Sequence, residues 1–263
     1  VALVAVVALV TTASVAVTVL PPAAHVTAMT HVAVVAGVGP GLGASIARRF
    51  AAEGCAVALL ARSASYVESL ADELDEGPGA GLAVPTDLTR PAEVRDAFAE
   101  IRDALGPVDT LVNHASGAAW KGLRDLSVAE LDDALAVGVR GGFVCSQEAA
   151  ADMTDGDGGT ILFTGATSAV RGREGSLAFS AAKFGVRGMA QSMARELGPE
   201  GVHVAHVVID GSVRPPEGDV EDESAYLDPD DVADTYWHLA EQSVETMSFE
   251  VHVTNGTQPI EFV

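Results

Sequence analysis

The sequence predicts a doubly wound α/β domain, a single parallel sheet with helices on both faces. Three observations predict it. From residue 31 onward, short apolar runs alternate with longer stretches of mixed polarity. The short runs hold about four to six apolar residues each, the pattern of strands buried on both faces. The stretches between them are long enough for helices, which makes the connections right-handed crossovers between parallel strands.

The elements follow in order. A first strand spans 32–36 (VAVVA), and a Gly-rich turn leads into a helix at about 42–53. Strand 56–60 precedes a helix over 64–74, and strand 81–85 precedes a helix over 91–104. After strand 108–112 comes one long helix, opened at Ser127 by a capping box with Glu130. Strand 160–164 leads to a long helix near 177–197, and strand 202–208 to a helix at about 229–241. A last strand lies near 249–254. The polar, acidic, Pro-containing stretch 214–228 reads as a mobile loop.

The first 28 residues stand apart. Residues 1–20 carry no charge, and their length fits a transmembrane helix. They lack the basic flank that a signal peptide or an oriented span requires, and the first Lys or Arg is Arg48. Met29 sits three residues before the first strand. The natural start is therefore expected at Met29, with 1–28 a start-site artefact; a membrane anchor and a packed extension are the alternatives. Residues 29–263 form the one domain.

The 37 acidic and 15 basic residues leave a net charge of −22, which repels phosphate backbones and argues against nucleic-acid binding. Such a surface also repels itself unless salt screens it, so adaptation to a high-salt cytoplasm is expected. Cys55 and Cys145 belong to no CxxC pair, and the His residues have no metal-ligand spacing. Two inert thiols and no metal are expected.

The first candidate site is the turn after the opening strand. Gly37, Gly41 and Gly43 make a GxxxGxG run, with Leu42 inside it. Glycines here let the chain turn tightly and let a pyrophosphate approach the backbone, under the N-terminus of the next helix. The second strand ends at Ala61-Arg62-Ser63 with no acidic residue for a ribose 2′-hydroxyl. Arg62 instead suits a 2′-phosphate, which favours NADP, with NAD the alternative. Asp87, with Leu88 beside it, lies past the third strand and can serve the adenine or open the next helix. Asn113, at the end of the fourth strand, lies where open α/β sheets bind ligands, or ties adjacent turns.

These features resemble the short-chain dehydrogenase/reductase family, whose fold is Rossmann-like, over about residues 31–254. Its norms are TGxxxGxG, NNAG and YxxxK; here they read AGxxxGxG, Asn113-His114-Ala115-Ser116 and Phe179-Ser180-Ala181-Ala182-Lys183. The resemblance implies a Ser–Tyr–Lys–Asn catalytic set. Position by position, Phe179 occupies the tyrosine place, Ala166 the serine place and Gly138 the asparagine place, and Lys183 alone is kept. A ring without a hydroxyl is no general acid, a function worth about 10²–10⁴ in rate. Lys183, one of only two lysines, is expected to bind the nicotinamide ribose. Thr167, with Thr164 and Ser168, flanks the missing serine, and His114 is a candidate proton carrier near neutral pH. Asp210 is a further candidate, and Tyr236 and Trp237 read as core or interface.

The expected function is an NAD(P)-dependent oxidoreductase with an incomplete tetrad, acting on a small carbonyl or enone. The competing reading is a non-catalytic NADP(H)-binding sensor or partner subunit. The resemblance also implies a cytoplasmic homodimer or homotetramer, paired through the long helix 179–197.

Overall fold

A computed structural model describes residues 31–257 apart from 217, 219 and 221. Seven strands form its sheet: β1 Val32–Ala36, β2 Ala56–Ala61, β3 Ala80–Pro85, β4 Thr110–Asn113, β5 Gly159–Thr164, β6 Val202–Asp210 and β7 Glu250–Thr254. Seven α-helices connect them: α1 Leu42–Ala52, α2 Ala64–Leu74, α3 Pro91–Ala104, α4 Val128–Leu135, α5 Gly142–Asp155, α6 Leu177–Leu197 and α7 Pro229–Ala240. Every pairing is parallel, in the order β3-β2-β1-β4-β5-β6-β7.

All five residues of β1 and all but the last of β6 are buried, as expected of strands covered on both faces. Alternate side chains point to opposite sides. Val35 and Leu59 join Ile46, Phe50 and Tyr236 in the core under α1, α2 and α7. Val34 and Leu60 join Phe98, Ile101 and Met153 in the core under α3, α5 and α6. This is the doubly wound Rossmann-like architecture.

The single long helix opening at Ser127 is present, unbroken from Val128 to Asp155. Its capping box forms as expected, Ser127 Oγ accepting from Glu130 N, and a π-helical turn at Ala136–Gly141 lies inside it between α4 and α5. Gly141 lies so close to the β3–α3 connection that a Cβ there would stand 2.8 Å from Leu88 O. The widened turn brings the helix against that backbone, a demand that periodicity does not register. Within 214–228, the stretch read as a mobile loop, the described part makes contacts across the loop: Arg214 N donates to Leu227 O, Leu227 N donates to Ser212 O, and the Arg214 guanidinium pairs with Asp228 and Glu223.

Among the described residues, no helix is long and apolar enough to cross a membrane. The reading of residues 1–28 lies outside them.

Candidate dinucleotide cleft and active site

Strand order reverses at β1, whose chain-order successor β2 lies on one side while β4 lies on the other. The loops leaving β1 and β4 therefore diverge and open a crevice at the carboxyl edge of the sheet. The crevice is a cleft of about 1400 Å³. Gly37 to Gly43 line one side, with Arg62, Asp87 and Leu88 at one end and Ala166, Phe179 and Lys183 at the other.

The glycines answer specific demands. Gly37 has φ +105°, and a Cβ on it would stand 2.4 Å from Ala115 N, because the two loops leave the sheet backbone against backbone before they part. Gly41 caps α1 with φ +117° and supplies no side chain. A Cβ on Gly43 would crowd Gly37 O and His114 Cδ2, each at 3.1 Å. The first turn of α1 contains no acidic residue, so its exposed N–H groups meet no competing carboxylate.

At the far end, α6 carries Lys183 into the interior. Its Nζ donates to Thr164 O at 2.6 Å, and no carboxylate pairs with it among the described residues. Burial lowers its pKa to about 8. The Phe179 ring lies one helical turn before, its centroid 5.6 Å from Nζ, and Trp120 packs on the other side at 5.0 Å. Beneath, the Thr164 hydroxyl joins Tyr236 Oη at 2.7 Å and His114 Nδ1 at 3.1 Å.

The family model for short-chain dehydrogenases matches residues 31–216. The chain belongs to the short-chain dehydrogenase/reductase family. It is 32% identical over 173 residues to D-threitol dehydrogenase of Mycolicibacterium smegmatis, covering 66% of each chain. It is 31% identical to D-xylose 1-dehydrogenase of Caulobacter vibrioides, covering 66% of this chain and 69% of that one. Among solved structures, a mutant short-chain dehydrogenase/reductase of Serratia marcescens superposes with TM-score 0.78 at 32% identity, over 87% of this chain and 98% of that one. A metagenomic short-chain oxidoreductase in complex with NADP superposes with TM-score 0.75 at 28% identity, over 85% and 96%.

Within this short-chain dehydrogenase, most residues singled out from sequence converge. Gly37, Gly41, Leu42, Gly43, Arg62, Asp87, Leu88, His114, Ala166, Phe179 and Lys183 all line the cleft. Asn113 and Thr167 are buried and lie outside that lining. Asn113 Nδ2 donates to Ser146 Oγ at 3.0 Å, which ties β4 to α5. The Thr167 hydroxyl donates to Asp210, so each of these two candidates engages the other. One Asp87 oxygen accepts both the backbone N–H and the hydroxyl of Thr89, which lowers its pKa and caps the turn into α3.

Burial, and secondarily the Lys183 charge, lower the pKa of His114 to about 4. That disfavours the imidazolium near neutral pH, so a proton passing through this ring would use its neutral form. The Thr164 hydroxyl thus links the Tyr236 phenol to the His114 ring in one chain of hydrogen bonds. Tyr236 is fully buried, and Trp237 packs edge-on against Phe50, as core residues. Burial pushes the Cys55 and Cys145 thiols up to about 12, so both are inert.

Sequence reasoning passed over Trp120 and the cleft-lining segment Val213–Pro216. The available signal for Trp120 was a lone indole in a run of Gly and Ala.

Proposed function

We propose that this short-chain dehydrogenase is an NADP(H)-dependent oxidoreductase whose catalytic set is reduced to Lys183, acting on a small carbonyl or enone. The observation that carries the reading is a buried lysine, unpaired with any carboxylate among the described residues, facing the same cleft as a glycine cradle. An ammonium held without a counter-charge costs stability, and a ligand with hydroxyl or phosphate oxygens gives it a purpose.

The cleft fits a dinucleotide phosphate. The Gly37–Gly43 turn and the start of α1 would hold the pyrophosphate, and the Arg62 guanidinium the 2′-phosphate. Asp87 and Leu88 would flank the adenine, and Lys183 Nζ would hold the ribose hydroxyls. The NADP-bound metagenomic relative supports the coenzyme, as does a metagenomic blue fluorescent protein in complex with NADPH, 32% identical.

When bound, the nicotinamide supplies hydride chemistry. The chain's own share is proton management. Phe179 and Ala166 carry no exchangeable side-chain proton. Burial holds the His114 imidazolium at a disadvantage near neutral pH. Lys183 Nζ, near pKa 8, is the remaining group at that end able to release a proton near neutrality. Substrates needing little acid assistance, a polarised C=C or an activated carbonyl, suit this set. A second reading, a non-catalytic NADP(H) sensor or partner subunit, is favoured by one observation: neither 166 nor 179 carries a hydroxyl.

The exposed Phe143 on α5 and Phe184 on α6 support a homodimer or homotetramer. The acidic surface supports a cytoplasm rich in salt. Calorimetric titration with NADPH and NADH in high salt, then a carbonyl and enone panel, tests the reading. Tighter NADPH binding with turnover supports it. Binding without turnover selects the sensor, and no heat with either coenzyme ends both.

A further inference from the structure

Trp120 is the other aromatic side chain lining the cleft beside Phe179. Trp120 is 68% exposed, an unusual state for the largest apolar side chain, and it lies at the mouth of the cleft. Its ring is tilted 44° against Phe179 at 5.0 Å. The pair thus forms a corner of two aromatic faces, with Lys183 Nζ beside the Phe179 ring. The corner is held in place. The Leu177 N–H at the start of α6 donates to Lys121 O, next to Trp120, and Lys121 Nζ pairs with Glu130, which Ser127 also holds.

Ala118, Ala119, Val137 and Ala166 are small apolar members of the lining. The Thr164 hydroxyl in that lining is already engaged by Tyr236 and His114, and the Lys121 and Glu130 charges satisfy each other. Asp133 stands exposed at the rim and repels anions. A flat, neutral, apolar ring is what this end of the cleft can hold.

We propose that Trp120 and Phe179 form an aromatic platform that selects planar, neutral aromatic carbonyl compounds, and that this packing is the role of the ring at 179. The proposal rests on the oxidoreductase reading above and names its substrate class. It separates this chain from the threitol and xylose dehydrogenases it resembles, whose named substrates are hydroxyl-rich. Offset or edge contacts with two aromatic faces favour an aromatic ring over a saturated ring of the same size by roughly 5-fold or more in Kd.

The test uses the full chain carrying W237F, which leaves Trp120 as the only tryptophan. 2-Acetylnaphthalene, cyclohexyl methyl ketone and D-xylose are titrated against Trp120 emission and against its acrylamide quenching. The naphthyl ketone is expected to shield Trp120, the cyclohexyl ketone to bind roughly 5-fold or more weakly, and xylose to do nothing. F179L keeps apolar bulk without a ring, and W120A removes the other face; each is expected to weaken naphthyl-ketone binding roughly 5-fold, read by calorimetry in the otherwise native chain. Calorimetry on the native chain also gives the ligand ranking should W237F fold poorly. Equal binding of the two ketones, binding of xylose, or unchanged affinity in W120A and F179L overturns the platform. NADPH is titrated into the same samples. NADPH binding without naphthyl-ketone binding removes the platform and leaves the coenzyme reading standing. Naphthyl-ketone binding with shielding but no NADPH heat does the reverse.

Discussion

Replacing Lys183 with Met should make the protein more stable at neutral pH. Lys183 is 5% exposed, and burial lowers its pKa from 10.5 to about 8. Each unit of displacement is about 1.4 kcal/mol, so keeping the ammonium charged inside costs the folded state about 3 kcal/mol at pH 7. Met is similar in length and uncharged. It loses the hydrogen bond to Thr164 O, worth roughly 1 kcal/mol. The net gain is about 2 kcal/mol, an upward shift of about 1 M in the urea midpoint. The pH dependence follows from the sign of the displacement. Because the folded pKa lies below the unfolded one, the unfolded chain binds more protons between about 8 and 10.5, and native stability rises with pH through that window. The cost falls to about 1 kcal/mol by pH 9.5, so native and variant chains should converge there. Urea melts of both at pH 7 and 9.5, in one high-salt buffer, measure this. A variant less stable at pH 7, or an advantage that does not shrink with pH, refutes the argument. K183M should also lose coenzyme binding, read by calorimetry on the same samples. Stability and ligand binding would then move in opposite directions, the mark of a residue kept for function.

G37A should lose coenzyme affinity and unfold at lower temperature, since the new Cβ meets Ala115 N at 2.4 Å in a positive-φ turn; calorimetry and a thermal melt check both. R62A should raise the Kd for NADPH roughly 10-fold or more and leave that for NADH nearly unchanged, because only the 2′-phosphate meets the guanidinium. F179Y together with A166S should raise carbonyl reduction by about 10²-fold or more, restoring a hydroxyl acid above Lys183; no change in kcat would mean that other features limit the site. The thermal midpoint should climb with added KCl, given a net charge of −22, and a flat response would contradict the high-salt reading.

Much of the site was legible because its demands are local. A glycine where φ is positive, as at Gly37 and Gly41, leaves its mark in the sequence. So does a lysine four residues past Phe179, in a chain that otherwise uses arginine. The proton affinity of His114 was not legible, because it depends on what surrounds the ring. Desolvation and the Lys183 charge, from a helix 69 positions later, set its state. Asn113 and Thr167 fit either a ligand or a neighbour by residue type alone. Ser146 and Asp210, each more than thirty positions away, are the partners they have.

The sequence by itself determined the order of strands and helices, the double-sided burial of the sheet, the glycine turn and the absence of a hydroxyl at 166 and 179. These are properties of period, composition and single positions, readable without knowing what lies across the fold. Only the tertiary structure decided the π turn at Ala136–Gly141, the lowered pKa of His114 and the meeting of Trp120 with Phe179. Each arises from groups far apart in the chain brought together by the crossovers. Close approach, desolvation and ring packing exist only between such partners, and no local pattern encodes them.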